Sequence, residues 1–412
     1  MPYASNGSDW GIEQSIVHHD TKIGLLFKPI GGVLPVGVLT VGAFSATAQA
    51  FTNTATHLWD SGVFNGQGQR WVGVDGTPSN GCRNEATPRT SSGTRYNHIT
   101  ECEFLYTGQA LDITFIGSAS YEVMVYVEHN NTMYRAEAAP KAGTTPGLMH
   151  LPLNFAATYH GRIRVVLAGG LFVGVKCEQS AIVKRSPDRT FAICDGAEWS
   201  EGAGFKQASG VSYLALGLTQ YLFERTGFAW VQRGQPDTGW NRNGAGTVID
   251  DTASATNQTR FFSQNRKDWV TPDFAEKPIV YLITGARADG TNTGATGLAN
   301  GPLAARAKAC FDWIRGRDKH CTIVAVSVAP LTGGGAGTGH AANFAELQAA
   351  AADTVRAESV DASGWFNAAQ QVPLIGTDGA NPNDHGINVW SSRIAIELAQ
   401  MIVSVLRARR LQ

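Results

Sequence analysis

The apolar positions change their period once along the chain. Across residues 51–183 they alternate or run together over strand lengths, as at 111–116, 121–127, 163–167 and 171–175. Gly117-Ser118, His129-Asn130-Asn131 and residues 143–147 separate these runs as turns. Short strands at this spacing, with no helical stretch among them, predict a β-sandwich of jelly-roll type. After Pro187 the period switches. A strand at 191–194 leads to an amphipathic helix over 212–225 closed by Gly227. Strands at 228–232 and 279–284, a helix at 303–315 and a strand at 322–328 come next, before helices at 341–356 and 385–407. Alternating strands and helices predict a parallel sheet covered on both faces, with ligands bound beyond the carboxyl ends of its strands. The chain then divides into an N-terminal docking arm at 1–50, a β-sandwich at 51–186 and an α/β domain at 187–412, as a 412-residue length leads one to expect.

Charge narrows the partners. Lys+Arg 33 against Asp+Glu 34 leaves a net charge of −1, which excludes the basic footprint of a nucleic-acid or anionic-membrane binder. The basic end at 407–410 is the last turn of a helix, where cations complement the dipole. Six cysteines without a CxxC pair or a Cys/His cluster exclude a zinc site. They read as buried free thiols, with Cys82–Cys102 and Cys310–Cys321 as alternative disulfides. Residues 31–50 are apolar and end in small residues, like the core of a signal peptide. About thirty residues precede them, including Glu13, His18, His19 and Asp20, and Pro35 with several glycines opposes a membrane helix. The expectation is an uncleaved strand pair or extended arm packed on a neighbour, with no membrane span.

Four loops at the expected strand ends carry the candidate chemistry. The first is Gly196-Ala197-Glu198-Trp199-Ser200-Glu201-Gly202, and the second is Pro236-Asp237-Thr238-Gly239-Trp240. The third is Gly285-Ala286-Arg287-Ala288-Asp289-Gly290, and the last is Asp378-Gly379-Ala380-Asn381-Pro382-Asn383. In this order they resemble the SGNH (GDSL-type) hydrolase superfamily, which cleaves esters and acetyl groups from lipids and sugars. Its members carry Gly-Asp-Ser at the first loop and often Gly-Gly-Thr-Gly-Tyr at the second. Gly-Gly-x-Asn-Asp-Gly and Asp-Gly-x-His-Pro-Asn are usual at the third and last. The resemblance covers 187–412 and implies a three-layer, flavodoxin-like α/β domain with a parallel sheet.

The resemblance also assigns roles. It places the nucleophile at Glu198, the base at Asn381, the oxyanion asparagine at Ala288 and the oxyanion glycine at Pro236, which has no N–H to give. Only Asp378 of the triad is kept. That mechanism needs a hydroxyl, a histidine base, an orienting carboxylate and donors aimed at the oxyanion. The frame is retained and the esterase machinery is replaced.

Some residues keep an enzyme in view. His385 lies four positions beyond Asn381 at the start of the last helix, and Ser200 lies two beyond Glu198; Ser327, within a strand, reads as structural. Asp195, Glu198, Asp289 and Asp378 would converge as a glycosidase acid/base pair or around a hard cation, or serve turns and caps. Arg287 would neutralise Glu198 or Asp289. Trp199, Trp240, Trp365 and Trp390 would stack sugar rings or fill the old pocket. No cofactor and no resident metal are expected. A β-sandwich ahead of an SGNH domain resembles bacterial two-domain carbohydrate esterases and phage tail and fibre proteins. The implied function is a catalytically inactive structural or surface-recognition subunit of a phage virion or tail. Such a subunit would be virion-borne or extracellular and homo-oligomeric, bound to other subunits through 1–50 and to a cell-surface glycan. A carbohydrate esterase or deacetylase with a rearranged site, or a carboxylate-based glycosidase, are the alternatives.

Overall fold

Two long strands organise the first half of the chain. The computed structural model describes residues 27–67, 69–74, 81–84, 99–196, 214–234, 240, 263–284, 303–327, 340–362, 365, 374 and 384–410. Nine described strands form one antiparallel sheet: β1 (Leu39–Val41), β2 (Thr54–Leu58), β3 (Trp71–Val74), β4 (Gly81–Asn84), β5 (Ile99–His129), β6 (Thr132–Arg135), β7 (Lys141–Gly143), β8 (Gly147–Glu178) and β9 (Ile182–Arg185). Straight strands as long as β5 and β8 would span about 100 Å, so they bend. Residues 110–117 of β5 pair with 147–154 of β8 on one side and with 170–177 on the other. Residues 163–168 of β8 lie in turn between 99–104 and 122–127 of β5. The sheet is therefore strongly curled. Gly169 takes one corner at φ 71°, where a Cβ would meet the Ser120 carbonyl oxygen at 2.3 Å, so no other residue fits.

This geometry corrects one expected turn and keeps another. Gly117 stays paired with both Gly147 and Gly170, so the bend at Gly117-Ser118 is absorbed within a paired strand by a register shift to Glu122. Asn130 (φ 51°) and Asn131 (φ 62°) do form a two-residue hairpin turn between β5 and β6. Residues 121–127 are apolar almost throughout because both faces are covered. Val123, Val125 and Val127 enter the core inside the curl, while Met124 and Tyr126 face a helix of the second half.

Residues 27–50 run across both halves of the chain. They pair with strands of their own chain. β1 pairs with residues 153–155 of β8, and Ser45 exchanges backbone bonds with His150. The Lys28 and Ile30 amides donate to the carbonyls of Thr226 and Glu224, and Gly31 and Leu34 donate to those of Met133 and Arg135. These bonds tie the segment to both halves of the chain, while Val33 and Val36 stay exposed.

The second half is a five-stranded parallel sheet of β10 (Phe191–Gly196), β11 (Ala229–Gln232), β12 (Val280–Thr284), β13 (Thr322–Val326) and β14 (Ala357–Val360). The described helices are α1 (Leu218–Thr226), α2 (Gln264–Val270), α3 (Leu303–Arg317), α4 (His340–Ala352) and α5 (Asp384–Arg410). Ala192 and Cys194 face α1 and α5, while Phe191 and Ile193 face α3 and α4, which makes three layers. Several expected boundaries move. The helix expected from 212 begins at Leu218 after a single 3-10 turn, and the strand expected to 328 ends at Val326. The helix expected to 356 stops at Ala352, where Thr354 Oγ1 bonds back to the Ala350 carbonyl and Arg356 takes φ 58° before an unexpected strand, β14. Gly227 ends α1 at φ 72°, beneath the Lys28 carbonyl, as its position predicted. All six cysteines are free and buried.

The two sheets meet through charges. Tyr126 donates to Glu224 of α1 at 2.8 Å, and Arg135 of β6 forks onto the same carboxylate at 2.6 and 2.5 Å. Arg164 of β8 and Gln220 of α1 both donate to Glu101 of β5, and the Arg164 guanidinium lies 4.0 Å from the ring centre of Phe223. Glu103 holds Arg189 at 2.7 Å and Arg162 at 3.0 Å. Removing one partner of a buried pair leaves the other charge unsolvated, at a cost of about 3–5 kcal/mol. Glu224→Ala should lower folding stability by about that amount, measured by urea denaturation.

Candidate functional site

The strand order β11-β10-β12-β13-β14 reverses direction at β10. In such sheets the crevice beyond the carboxyl ends at the reversal point is where ligands bind. The loops leaving those ends lie mostly outside the described residues, but the platform beneath them is described in detail. It consists of Asp195, Gly196, Arg233, Arg266, Asp273, Tyr281, Thr284 and Trp390.

Two struts cross this platform. The first starts at Ser263, which caps α2 by accepting from the Arg266 amide at 3.2 Å. The cap sets the helix start and sends the Arg266 side chain back under the sheet ends. Its guanidinium donates to the carbonyls of Gly196 (3.1 Å) and Arg233, and lies 3.4 Å from Asp195. Arg233 forks onto Asp273 at 2.6 and 2.8 Å, against the face of Trp269. Arg70, from the loop before β3, also reaches Asp273 at 3.6 Å. The second strut is Trp390 of α5, whose indole N–H donates to Thr284 Oγ1 at 3.2 Å and whose ring packs against Trp365 at 4.7 Å.

Asp195 is 1% exposed. Burial pushes its carboxyl above the usual carboxylate range, against the opposing pull of Arg266, the Tyr281 hydroxyl at 2.7 Å and the Gly196 amide at 2.7 Å. The same burial, with Asp195 beside it, pushes the Tyr281 phenol well up. Both groups are held where water does not reach.

Of the residues singled out by sequence, Glu198, Trp199, Ser200, Pro236, Arg287, Ala288, Asp289, Asp378 and Asn381 lie outside the described residues. His385 sits exposed on the first turn of α5. Ser327 lies just past β13, buried, with its hydroxyl accepting from the Ala362 amide at 2.9 Å. Trp240 is 2% exposed and meets Phe311 edge-on, and Trp365 and Trp390 are likewise buried. These three rings are core, closed to a ligand's face, because the apolar layers of the sheet take them up. Among the described residues no group of three His, Cys, Asp or Glu side chains is placed to hold a metal ion. None of the described helices is long and apolar enough to cross a membrane. Arg233, Arg266, Asp273 and Tyr281 were missed from sequence. Their one visible signal is a serine cap three residues before an arginine, which is common and not diagnostic.

The fold resembles that of solved SGNH-type carbohydrate esterases. The fold is shared with a carbohydrate esterase whose active site displays divergent catalytic and non-catalytic binding functions, at TM-score 0.51 and 12% identity over 84% of this chain and 97% of that one. It is shared too with a carbohydrate esterase family 2 enzyme plus carbohydrate binding domain from Corynascus thermopiles (Myceliophthora fergusii), at TM-score 0.50 and 14% identity over 74% of this chain and 94% of that one. No protein-family model matches the chain, and no curated protein matches it in sequence. At such identities the likeness establishes the fold.

The raised Asp195 pKa has a signed consequence. A carboxyl whose folded value lies above its unfolded value of about 3.9 binds more protons in the folded state, so its contribution falls as pH rises above that point. Asp195→Asn should remove this slope. The stability of the parent relative to the variant, from denaturation midpoints, should decline from about pH 4 upward.

Proposed function

We propose that the chain is a non-catalytic SGNH-fold protein that recognises cell-surface glycan as a subunit of a phage virion or tail. The observation that carries this reading is the joint replacement at four separate loops: Glu198, Pro236, Ala288 and Asn381 stand where the resembled mechanism uses a serine, a glycine N–H, an asparagine and a histidine. Loss of a single oxyanion donor costs about 2.7–4 kcal/mol of transition-state stabilisation, and loss of the nucleophile or base costs further orders of magnitude. Losses at all four sites leave no route for ordinary serine esterase chemistry. Glu198 in the nucleophile's place would give a mixed anhydride on attack.

Binding without turnover is a use open to this fold. One of the esterases that share it has an active site with non-catalytic binding functions alongside catalytic ones. In this chain a sugar would meet Trp199, Asp289 and Arg287 of the first and third loops. We read the antiparallel sheet as a jelly-roll-like sandwich spanning 51–186 ahead of an α/β domain at 187–412. The two-sided pairing of 110–117 and of 163–168 supports two facing layers. In this reading contacts with other subunits, including copies of the same chain, are made through residues 1–50.

A second reading, a carbohydrate esterase with a rearranged site, draws on the esterase relatives of the fold and on the exposure of His385 beside the last loop. One experiment separates the readings. The purified protein is offered acetylated xylo-oligosaccharides and a serine-reactive fluorophosphonate, and scanned on a glycan array. We expect array binding with no acetate release and no labelling. Labelling at Ser200, or acetate release abolished by His385→Ala, would overturn the proposal in favour of the esterase. Glycan cleavage lost only in Glu198→Gln would establish a glycosidase.

A further inference from the structure

The platform holds a residue whose position is explained by neither sheet packing nor helix formation alone. Arg266 is an arginine in the first turn of α2, 2% exposed, with its side chain turned away from solvent into the space beneath two strand ends. Among the described residues it donates to two backbone carbonyls, at the ends of different strands. One is that of Gly196, the last residue of β10 and the first of the loop that carries Glu198. The other is that of Arg233, one residue beyond β11, at the start of the loop that carries Pro236. Gly196 takes φ 145° at the end of β10, and Arg233 donates its amide to Cys194 at 2.8 Å just beyond β11. The carbonyls lie where the sheet's own hydrogen bonding runs out, and one planar guanidinium reaches both.

We propose that Arg266 is a positioning residue that sets the separation of the carboxyl ends of β10 and β11, from which the first and second loops leave. The inference rests on the reading that the candidate site lies at those strand ends. Its role follows from geometry. A guanidinium is a rigid fork, so two carbonyls bonded to it are held at a fixed spacing. Asp195 at 3.4 Å fixes the fork from the side, and the Ser263 cap fixes the helix that delivers it. Arg233 is itself immobilised by the fork onto Asp273, so the second carbonyl is anchored through its own side chain. This anchoring of the two strand ends uses none of the positions Glu198, Pro236, Ala288 and Asn381.

A matched control exists at the opposite end of the same sheet. Arg315 of α3 also bridges two carbonyls, those of Asp318 (3.0 Å) and Arg356 (3.2 Å), next to the amino ends of β13 and β14. Hydrogen–deuterium exchange with mass spectrometry on the full chain tests the proposal without any ligand. In Arg266→Gln, exchange should rise about tenfold or more in peptides covering 196–202 and 233–240, the loss of at least one charge-assisted bond. Exchange in β12 and β13 should stay at the parent level. Arg266→Lys, which can satisfy one carbonyl but not both, should give a smaller rise, and Arg315→Gln should leave both peptides unchanged. An even rise over the whole sheet, no rise, full rescue by lysine, an equal rise in Arg315→Gln, or failure of the Arg266 variants to fold would each overturn the assignment. Glycan binding does not enter the measurement, so this inference and the proposed function stand or fall separately.

Discussion

The structure depends on carboxylates buried between its two sheets. An antiparallel sheet and a helix of an α/β layer can slide past one another when the contact is made of Val, Met and Phe alone, because apolar packing has little direction. Glu224, Glu101 and Glu103 remove that freedom. Each accepts bonds from at least two donors on different elements, and each would be left charged and dry by a shift of a few ångströms. Arg164 illustrates the fit. One nitrogen serves Glu101 while the flat of its guanidinium lies on Phe223, so the same group is ionic on its rim and apolar on its face. Such a seam adds little net stability over a hydrophobic one. It specifies a single relative placement of the two halves, and so fixes which part of the antiparallel sheet approaches the ends of β10 and β11.

The α/β half was legible in outline because its signals are local. Residues 191–194, 279–284 and 322–326 are apolar runs of strand length between polar turns, and the last helix keeps its period over many turns. Gly227 marked a helix end for a reason visible in sequence. β14 escaped because Ala357-Glu358-Ser359-Val360 is short and half polar, as an edge strand can be. The antiparallel half was legible as strands but not as two long bent ones, since bends that keep their hydrogen bonds leave no turn residues beyond a glycine.

Less of the candidate site could be read. The four loops were recognised by frame residues, and their chemistry was judged by which frame positions had changed. The residues that hold the loops carry no such frame. Arg233, Arg266 and Asp273 come from three separate elements, and nothing in their spacing reveals that they meet. Trp240, Trp365 and Trp390 show the converse. Aromatic residues near loop ends resemble a sugar platform in sequence, and burial assigns them to the core. A side chain's neighbours across the fold decide its role, and those are what a linear reading lacks.

The path of residues 27–34 bears on how the molecule is assembled. Lys28 and Ile30 find their backbone partners in the last turn of α1, roughly two hundred residues further along the chain, where the entropic cost of closing the loop is high. A nascent chain emerging from the ribosome would carry this segment unpaired until both the β5–β6 hairpin and α1 had formed. The segment can close over the seam, as a latch, only after both are in place. It cannot guide the early steps of folding, and a cut between residues 186 and 187 would separate the latch from half of its catch.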